Sequence, residues 1–217
     1  MCMDLLRVEK QLAELDLHTD QYHIDIMDGH FAPNITLSPD FISAVNHASE
    51  LRLDAHMMVT DPGKWIDQVA AAGADIYSVH AETIQNTAFR IKNQVQAAGM
   101  ELGLVLSPLT PLSSVRPLLE HVQLLTMMTV DVGYAGQPFI PEVLKKVSEA
   151  RDLKEKEGLS YTIQIDGSCN GRTFKQLSNA GAEMFILGNS GLFDFASDID
   201  DAWSIMKDSF EKSMAAH

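Results

Sequence analysis

YHIDIMDGH, residues 22–30, is the stretch on which the reading of this chain turns. Polar and apolar residues alternate through it. As a strand it therefore sends His23, Asp25 and Met27 to one face and Ile24 and Ile26 to the other. Two further stretches repeat the theme: LDAHMMV (53–59) carries His56 and YTIQIDGS (161–168) carries Asp166. The four ionisable residues thus fall near the C-terminal ends of three strand-like segments, each in an otherwise apolar run. Two imidazoles and two carboxylates converging from different strands suit a borderline divalent metal. Groups of this kind, set in apolar surroundings, gather at functional sites.

Working outward, strand-like and helix-like segments alternate along the whole chain. Strands are expected near 21–27, 51–59, 74–80, 101–107, 123–130, 160–166 and 183–188. Segments of helical period lie at 4–16, 38–49, 62–72, 86–98, 111–121, 141–157, 171–180 and 198–215. Gly73, Gly99, Gly158 and Gly181 follow four of the helices, and Pro39, Pro62, Pro111 and Pro141 stand near the starts of four others. The unit of about 25–30 residues reads as successive βα pairs with parallel strands and right-handed crossovers. No linker interrupts it, so residues 1–217 are expected to form a single domain.

Seven strands beside eight helices is an uneven count, because the chain opens on a helix. The expectation is an α/β fold of the (β/α)8 TIM-barrel type whose first strand lies outside this sequence. An open doubly wound sheet explains the alternation equally well. It does not explain chemistry-bearing residues at the same end of so many strands, which in a barrel is the active-site face.

Composition bounds the partners. A chain of 217 residues that is 46% hydrophobic can bury a sizeable core, and its apolar runs are of strand length, so no membrane span is expected. The net charge of −14 disfavours nucleic acid and anionic membrane, which reward clustered Lys and Arg. Cys2 and Cys169 have no CxxC spacing and no secretory pattern opens the sequence, which together point to a reducing, cytoplasmic setting.

At the expected mouth, Asp25 and Asp166 are the strongest acid/base candidates. Carboxylates on separate strands can face opposite sides of a planar substrate. That suits removal of a proton from one face of a carbon next to a carbonyl and its return to the other, with a metal as Lewis acid. Three glycine-bearing loops follow late strands: DVGYAGQPF (131–139), DGSCNG (166–171) and GNSGLF (188–193). Small residues there let backbone N–H groups approach a phosphate, and barrels often bind phosphate after their last two strands. The loops hold no Lys and the nearest Arg is Arg172, so backbone amides are expected to carry the binding. All ten lysines fall in helices or their approaches, which argues against a Schiff-base aldolase and against an Asp–Lys–Asp decarboxylase array. His80 is a candidate outer-layer or mouth-lining residue, and Met27 and Met58 are candidates to wall the site. Cys169 lacks a paired base, while His30 and His47 read as surface or loop residues.

HIDIMDGHFAPN (23–34), HMMV (56–59), TVDVGYAGQPFIPEVLKK (129–146), IDGSCN (165–170) and GNSGLF together resemble the ribulose-phosphate 3-epimerase family along essentially the whole chain. The resemblance implies a (β/α)8 barrel that inverts C3 of a phosphorylated ketose through a cis-enediolate. It assigns His23, Asp25, His56 and Asp166 as ligands of one divalent metal (Zn, Fe, Mn or Co), with Asp25 and Asp166 as the acid/base pair. It also places His56, Gly133, Tyr134, Ala135, Gly136, Gly167, Ser168, Gly188, Asn189 and Ser190 against substrate and phosphate, and implies a homo-oligomer. Pentulose-phosphate members usually carry Asp-Gly-Gly where this chain has Asp166-Gly167-Ser168. That segment, with HAETI (80–84) and the GLF after Ser190, looks more like the D-allulose-6-phosphate 3-epimerase branch. D-Allulose 6-phosphate is therefore the expected substrate, with D-ribulose 5-phosphate as the alternative. Two departures stand out. Val132 replaces the family's Pro, which would loosen the lid, and the first strand with its substrate-contacting Ser is expected before Met1. A metallohydrolase and a non-catalytic sugar-phosphate binder are the remaining alternatives.

Overall fold

The protein, as a computed structural model, is described over residues 2–215. All seven expected strands form: β1 (Gln21–Asp28), β3 (Arg52–Met58), β4 (Ile76–His80), β5 (Glu101–Leu106), β6 (Leu124–Met128), β7 (Thr162–Asp166) and β8 (Met184–Phe185). They lie parallel in chain order. A short β2 (Ile35–Thr36), unforeseen in the sequence, pairs antiparallel with the end of β1. The parallel strands curl as a barrel wall whose first and last members, β1 and β8, are not paired to each other among the described residues.

Helices α1 (Val8–Leu15), α2 (Pro39–Ala48), α3 (Ile66–Ala71), α4 (Ala88–Ala97), α5 (Val143–Glu157), α6 (Phe174–Ala180) and α7 (Ile199–Ala215) surround the sheet. They bridge the seam that the strands leave: α1 packs on both α2 and α7. There His18 stacks on Trp203 with ring centroids 5.1 Å apart and its Nε2 lies 2.8 Å from Asp200 Oδ1. No described helix is long and apolar enough to cross a membrane.

One expected helix does not form. Residues 111–121 fold as two 3-10 segments, Leu112–Ser114 and Arg116–His121. Pro117 cannot donate a backbone hydrogen bond and disfavours the α conformation at Arg116, so an α-helix cannot run through this stretch. The 62–72 segment is divided in the same region of its turn, a 3-10 piece at Pro62–Lys64 preceding α3.

The strand period of two separates the two faces of the wall. Ile24 and Ile26 of β1, Leu53, Ala55 and Met57 of β3, and Ile163 and Ile165 of β7 join the large apolar cluster under the helices. Burying each of the Ile, Leu and Met side chains contributes roughly 1.5–3 kcal/mol, and this layer supplies most of the folding drive. The interior face is different. Asp54, His56, Ser78, His80, Thr126 and Gln164 are all buried there, and each finds polar partners, as buried polar groups must.

Candidate active site

Parallel register brings the ionisable residues together. His23 is aligned with Asp54 and Asp25 with His56 across β1 and β3, while Asp166 ends β7 beside Met128 of β6. One ligand atom from each of His23, Asp25, His56 and Asp166 lies within 4.8 Å of the other three. His23 Nε2 is 3.1 Å from His56 Nδ1, and His56 Nδ1 is 3.0 Å from Asp25 Oδ1. Asp25 Oδ1 lies 3.5 Å from His23 Nε2, and Asp166 Oδ2 lies 3.9 Å from His23 Nε2 and 3.6 Å from His56 Nδ1.

The donor set fits a divalent cation. Two ring nitrogens and a carboxylate oxygen face one another at hydrogen-bond distance, and their lone pairs repel unless a proton or a metal cation lies between them. The outward nitrogens are engaged elsewhere. His23 Nδ1 is 2.7 Å from Asp54 Oδ2, and His56 Nε2 is 2.9 Å from His80 Nε2. Such outer partners fix ring orientation in metal sites. These four residues could hold a divalent metal.

The electrostatics are those of a crowded, largely buried site. Burial opposes the His23 charge, but Asp54 and Asp25 outweigh it and hold the imidazole well above its ordinary value. Burial works to raise Asp25, yet hydrogen bonds and charge from His23 and His56 carry it well below the carboxylate range. Asp166 is raised by burial and by the negative charge of Asp25. His80 is pulled down to about 4 by burial, which the hydrogen bond with Glu82 only partly offsets.

Room for this arrangement comes partly from Gly103 of β5, aligned with Ser78. A Cβ at Gly103 would sit 1.9 Å from Ser78 Oγ, the hydroxyl that donates to Asp54 Oδ1. Asp54 and Gly103 carried no assignment from the sequence. Asp54 was findable, since it stands two residues before His56 and so shares its face. Gly103 had no such signal.

A cavity of about 510 Å³ opens above these groups and continues along the β1–β8 seam. His23, Asp25, Asp166 and the loop positions 133–136, 167–168 and 188–190 all line it; His56 is fully buried behind them, and Arg172 is not on the wall. The loops are tied in series. Asp28 accepts from the N–H groups of His30, Phe31 and Thr60, which sets the turn after β1 against the turn after β3. Asn34 donates to the Gly133 carbonyl at 2.9 Å and Tyr134 donates to the Pro33 carbonyl. Ser168 donates to the Gln137 carbonyl at 2.9 Å, and Asn170 donates to Ser190 Oγ at 3.1 Å.

Other sequence candidates sort by position. Met27 and Met58 pack with Ala32 and Phe31 at the mouth, and Val132 packs against that group and against Val105, Met128 and Val130. Met57 and Met127 face the helices instead. Cys169 is buried and burial raises its thiol, which leaves it inert as a nucleophile. His30 and His47 are exposed.

Comparison with known proteins gives consistent results. Residues 1–193 match the sequence profile of the ribulose-phosphate 3 epimerase family. The ribulose-phosphate 3-epimerase of Bacillus subtilis (strain 168) is 39% identical over 172 residues, covering 79% of this chain and 79% of that protein. The ribulose-phosphate 3-epimerase of Mycobacterium leprae (strain TN) is 36% identical over 190 residues, covering 88% of this chain and 84% of that one. Among solved structures, a 3-hexulose-6-phosphate synthase superposes with a TM-score of 0.68 at 17% identity, covering 99% of this chain and 98% of the other. A tryptophan synthase alpha-subunit from Pyrococcus furiosus gives 0.68 at 11% identity, covering 98% and 94%. At those identities the structural likeness speaks to the barrel fold alone.

Proposed function

The chain belongs to the ribulose-phosphate 3-epimerase family of isomerases, and on that premise we propose that it inverts C3 of a phosphorylated ketose, converting D-allulose 6-phosphate to D-fructose 6-phosphate. In this reading residues 1–217 are one barrel domain, and the enzyme is cytoplasmic and assembles with copies of itself. One observation carries the chemistry. Carboxylates from strands far apart in the sequence, Asp25 of β1 and Asp166 of β7, both reach the same pair of imidazole nitrogens.

Inversion next to a carbonyl needs a base on one face of the carbon and an acid on the other. One of the two aspartates takes the C3 proton, and the electron pair left behind forms the C2–C3 double bond as the carbonyl pair moves onto the C2 oxygen, giving a cis-enediolate. The other aspartate returns a proton to the opposite face, and in the reverse direction the roles exchange. A divalent metal held by His23, Asp25, His56 and Asp166 supplies Lewis-acid stabilisation of charge developing on the substrate oxygens; zinc, iron, manganese and cobalt all suit this ligand set. Met27 and Met58 exclude water from the reacting face. Backbone N–H groups around Gly133 to Gly136, Gly167, Ser168 and Gly188 to Ser190 hold the sugar phosphate.

The hexulose choice is supported by Ser168-Cys169-Asn170 after Asp166, HAETI and the GLF of residues 191–193, which resemble the allulose-phosphate branch. The names of the relatives favour a second reading, D-ribulose 5-phosphate to D-xylulose 5-phosphate. Metal-reconstituted protein assayed on both ketose phosphates separates them. A higher kcat/KM on allulose 6-phosphate is expected. The reverse order overturns the hexulose choice, and turnover of neither overturns the epimerase reading.

A further inference from the structure

Behind His56 lies a run of polar groups that the chemistry above does not use. His80 is fully buried at the end of β4. Its Nε2 is 2.9 Å from His56 Nε2, and its Nδ1 is 3.3 Å from Glu82 Oε2. The other carboxylate oxygen of Glu82 accepts from the backbone N–H of Ser107 at 3.0 Å and from the Thr110 hydroxyl. The loop bearing these donors is pinned by Lys146, whose Nζ donates to the carbonyls of Ser107, Pro108 and Thr110 at 2.7, 3.0 and 2.9 Å. Phe31 covers the open side of His80, with ring centroids 4.5 Å apart.

We propose that Glu82, acting through His80, sets the tautomer of His56 and so aims the His56 Nδ1 lone pair at the metal site. The direction of each hydrogen bond follows from the one before it. Glu82 can only accept, so His80 carries its proton on Nδ1. His80 Nε2 is then bare and accepts from His56 Nε2–H. A neutral imidazole with Nε2–H has its lone pair on Nδ1, the nitrogen that faces His23, Asp25 and Asp166. The Ser107 hydroxyl, 3.3 Å from His80 Nδ1, can turn either way and imposes no direction. Glu82 is thus a positioning residue, two imidazoles removed from the ligand atom it serves. The same task is done for His23 by Asp54 directly. The inference rests on the metal site proposed above, but not on the reaction or substrate assigned to it.

Glu82→Gln tests it. The Ser107 N–H is a fixed backbone donor, so the single amide oxygen stays on that side and the amide N–H turns toward His80 Nδ1. His80 must then accept on Nδ1 and carry its proton on Nε2, which forces the proton of His56 onto Nδ1. Titration with Co²⁺, followed by its visible absorption, is expected to show about 10–100-fold weaker binding in E82Q, the usual scale for an outer partner of a ligand. Two-bond ¹H–¹⁵N correlations of His80 are read in metal-free protein, because a metal on His56 Nδ1 would by itself fix the His56 proton on Nε2. They are expected to show Nδ1–H in the native chain and Nε2–H in E82Q. The same His80 tautomer in both proteins, or native Co²⁺ affinity in E82Q, overturns the proposal. Should E82Q fail to fold, His80→Gln and His80→Leu replace it. The glutamine oxygen can accept from His56 Nε2–H and is expected to keep Co²⁺ affinity within a few-fold, whereas leucine loses it; equal affinities overturn the proposal. Co²⁺ binding that depends on Glu82 in a protein without epimerase turnover would sink the proposed reaction and leave this inference standing.

Discussion

Asp54 Oδ2 accepts from His23 Nδ1–H at 2.7 Å, which leaves Nε2 as the nitrogen that meets Asp25, His56 and Asp166. Asp54 is itself fully buried and held by the Ser78 hydroxyl. Asp54→Ala is therefore expected to weaken Co²⁺ binding by about 10–100-fold. Asp54→Asn should lose less, because Ser78 can rotate to accept from the amide while the amide oxygen still accepts from His23. A Co²⁺ titration that ranks native, Asn and Ala in that order checks the relationship.

Exhaustive chelation is expected to abolish turnover, and a divalent transition metal to restore it. The reason is the convergence of four ligand atoms within 4.8 Å. Metal analysis of the active enzyme should find one equivalent per chain; active protein without stoichiometric metal would refute the assignment.

Asp25→Asn and Asp166→Asn should each lower kcat by about a hundredfold or more, the scale of one acid/base group. Turnover in D₂O should place deuterium at C3. Near-native rates in both variants, or product without deuterium, would rule out proton transfer by two carboxylates.

Two glycines in the last loop should behave differently. At Gly188 an added Cβ meets only Cys2 Sγ at 3.4 Å, an ordinary contact, whereas at Gly191 it would lie 2.1 Å from the Cys169 carbonyl oxygen. Gly188→Leu is expected to keep a native-like melting temperature and raise KM for the phosphorylated ketose, with little change on the free sugar. Gly191→Ala should instead lower the melting temperature. Equal activity on phosphorylated and free ketose would remove the case for phosphate binding at this loop.

Asp28 is held well below the usual carboxylate range; partial burial acts against this, but the N–H groups of Phe31, Thr60 and His30 and the Thr60 hydroxyl outweigh it. A depressed native value gives stability that is present above the unfolded pKa of about 4 and lost as pH falls through the native one. In Asp28→Asn one oxygen becomes a donor facing donors, so the loop carrying Phe31 and Asn34 should loosen and KM should rise. Thermal unfolding should show a constant gap between native and D28N from pH 7 to 5, narrowing only below about 4. A gap that varies between pH 7 and 5 would refute the anchoring role.

Much of this protein was readable from residue order alone, and the reason is local. A strand repeats every two residues and a βα turn is marked by Gly and Pro, so the strands, most helices and the shared face of His23 and Asp25 follow from near neighbours. Residues 111–121 carry a helical hydrophobic period, but the local block that Pro117 imposes outweighs it and the stretch folds as 3-10 segments. Tertiary structure decided what depends on register between strands. It aligned Asp54 with His23, set Ser78 in the space that Gly103 leaves, and laid His80 and Glu82 behind His56. Residues such as Glu82, Ser107 and Lys146 are tens of positions apart, and no sequence period links them. Their relation exists only once the wall has curled and its polar interior must satisfy most of the donors and acceptors it buries.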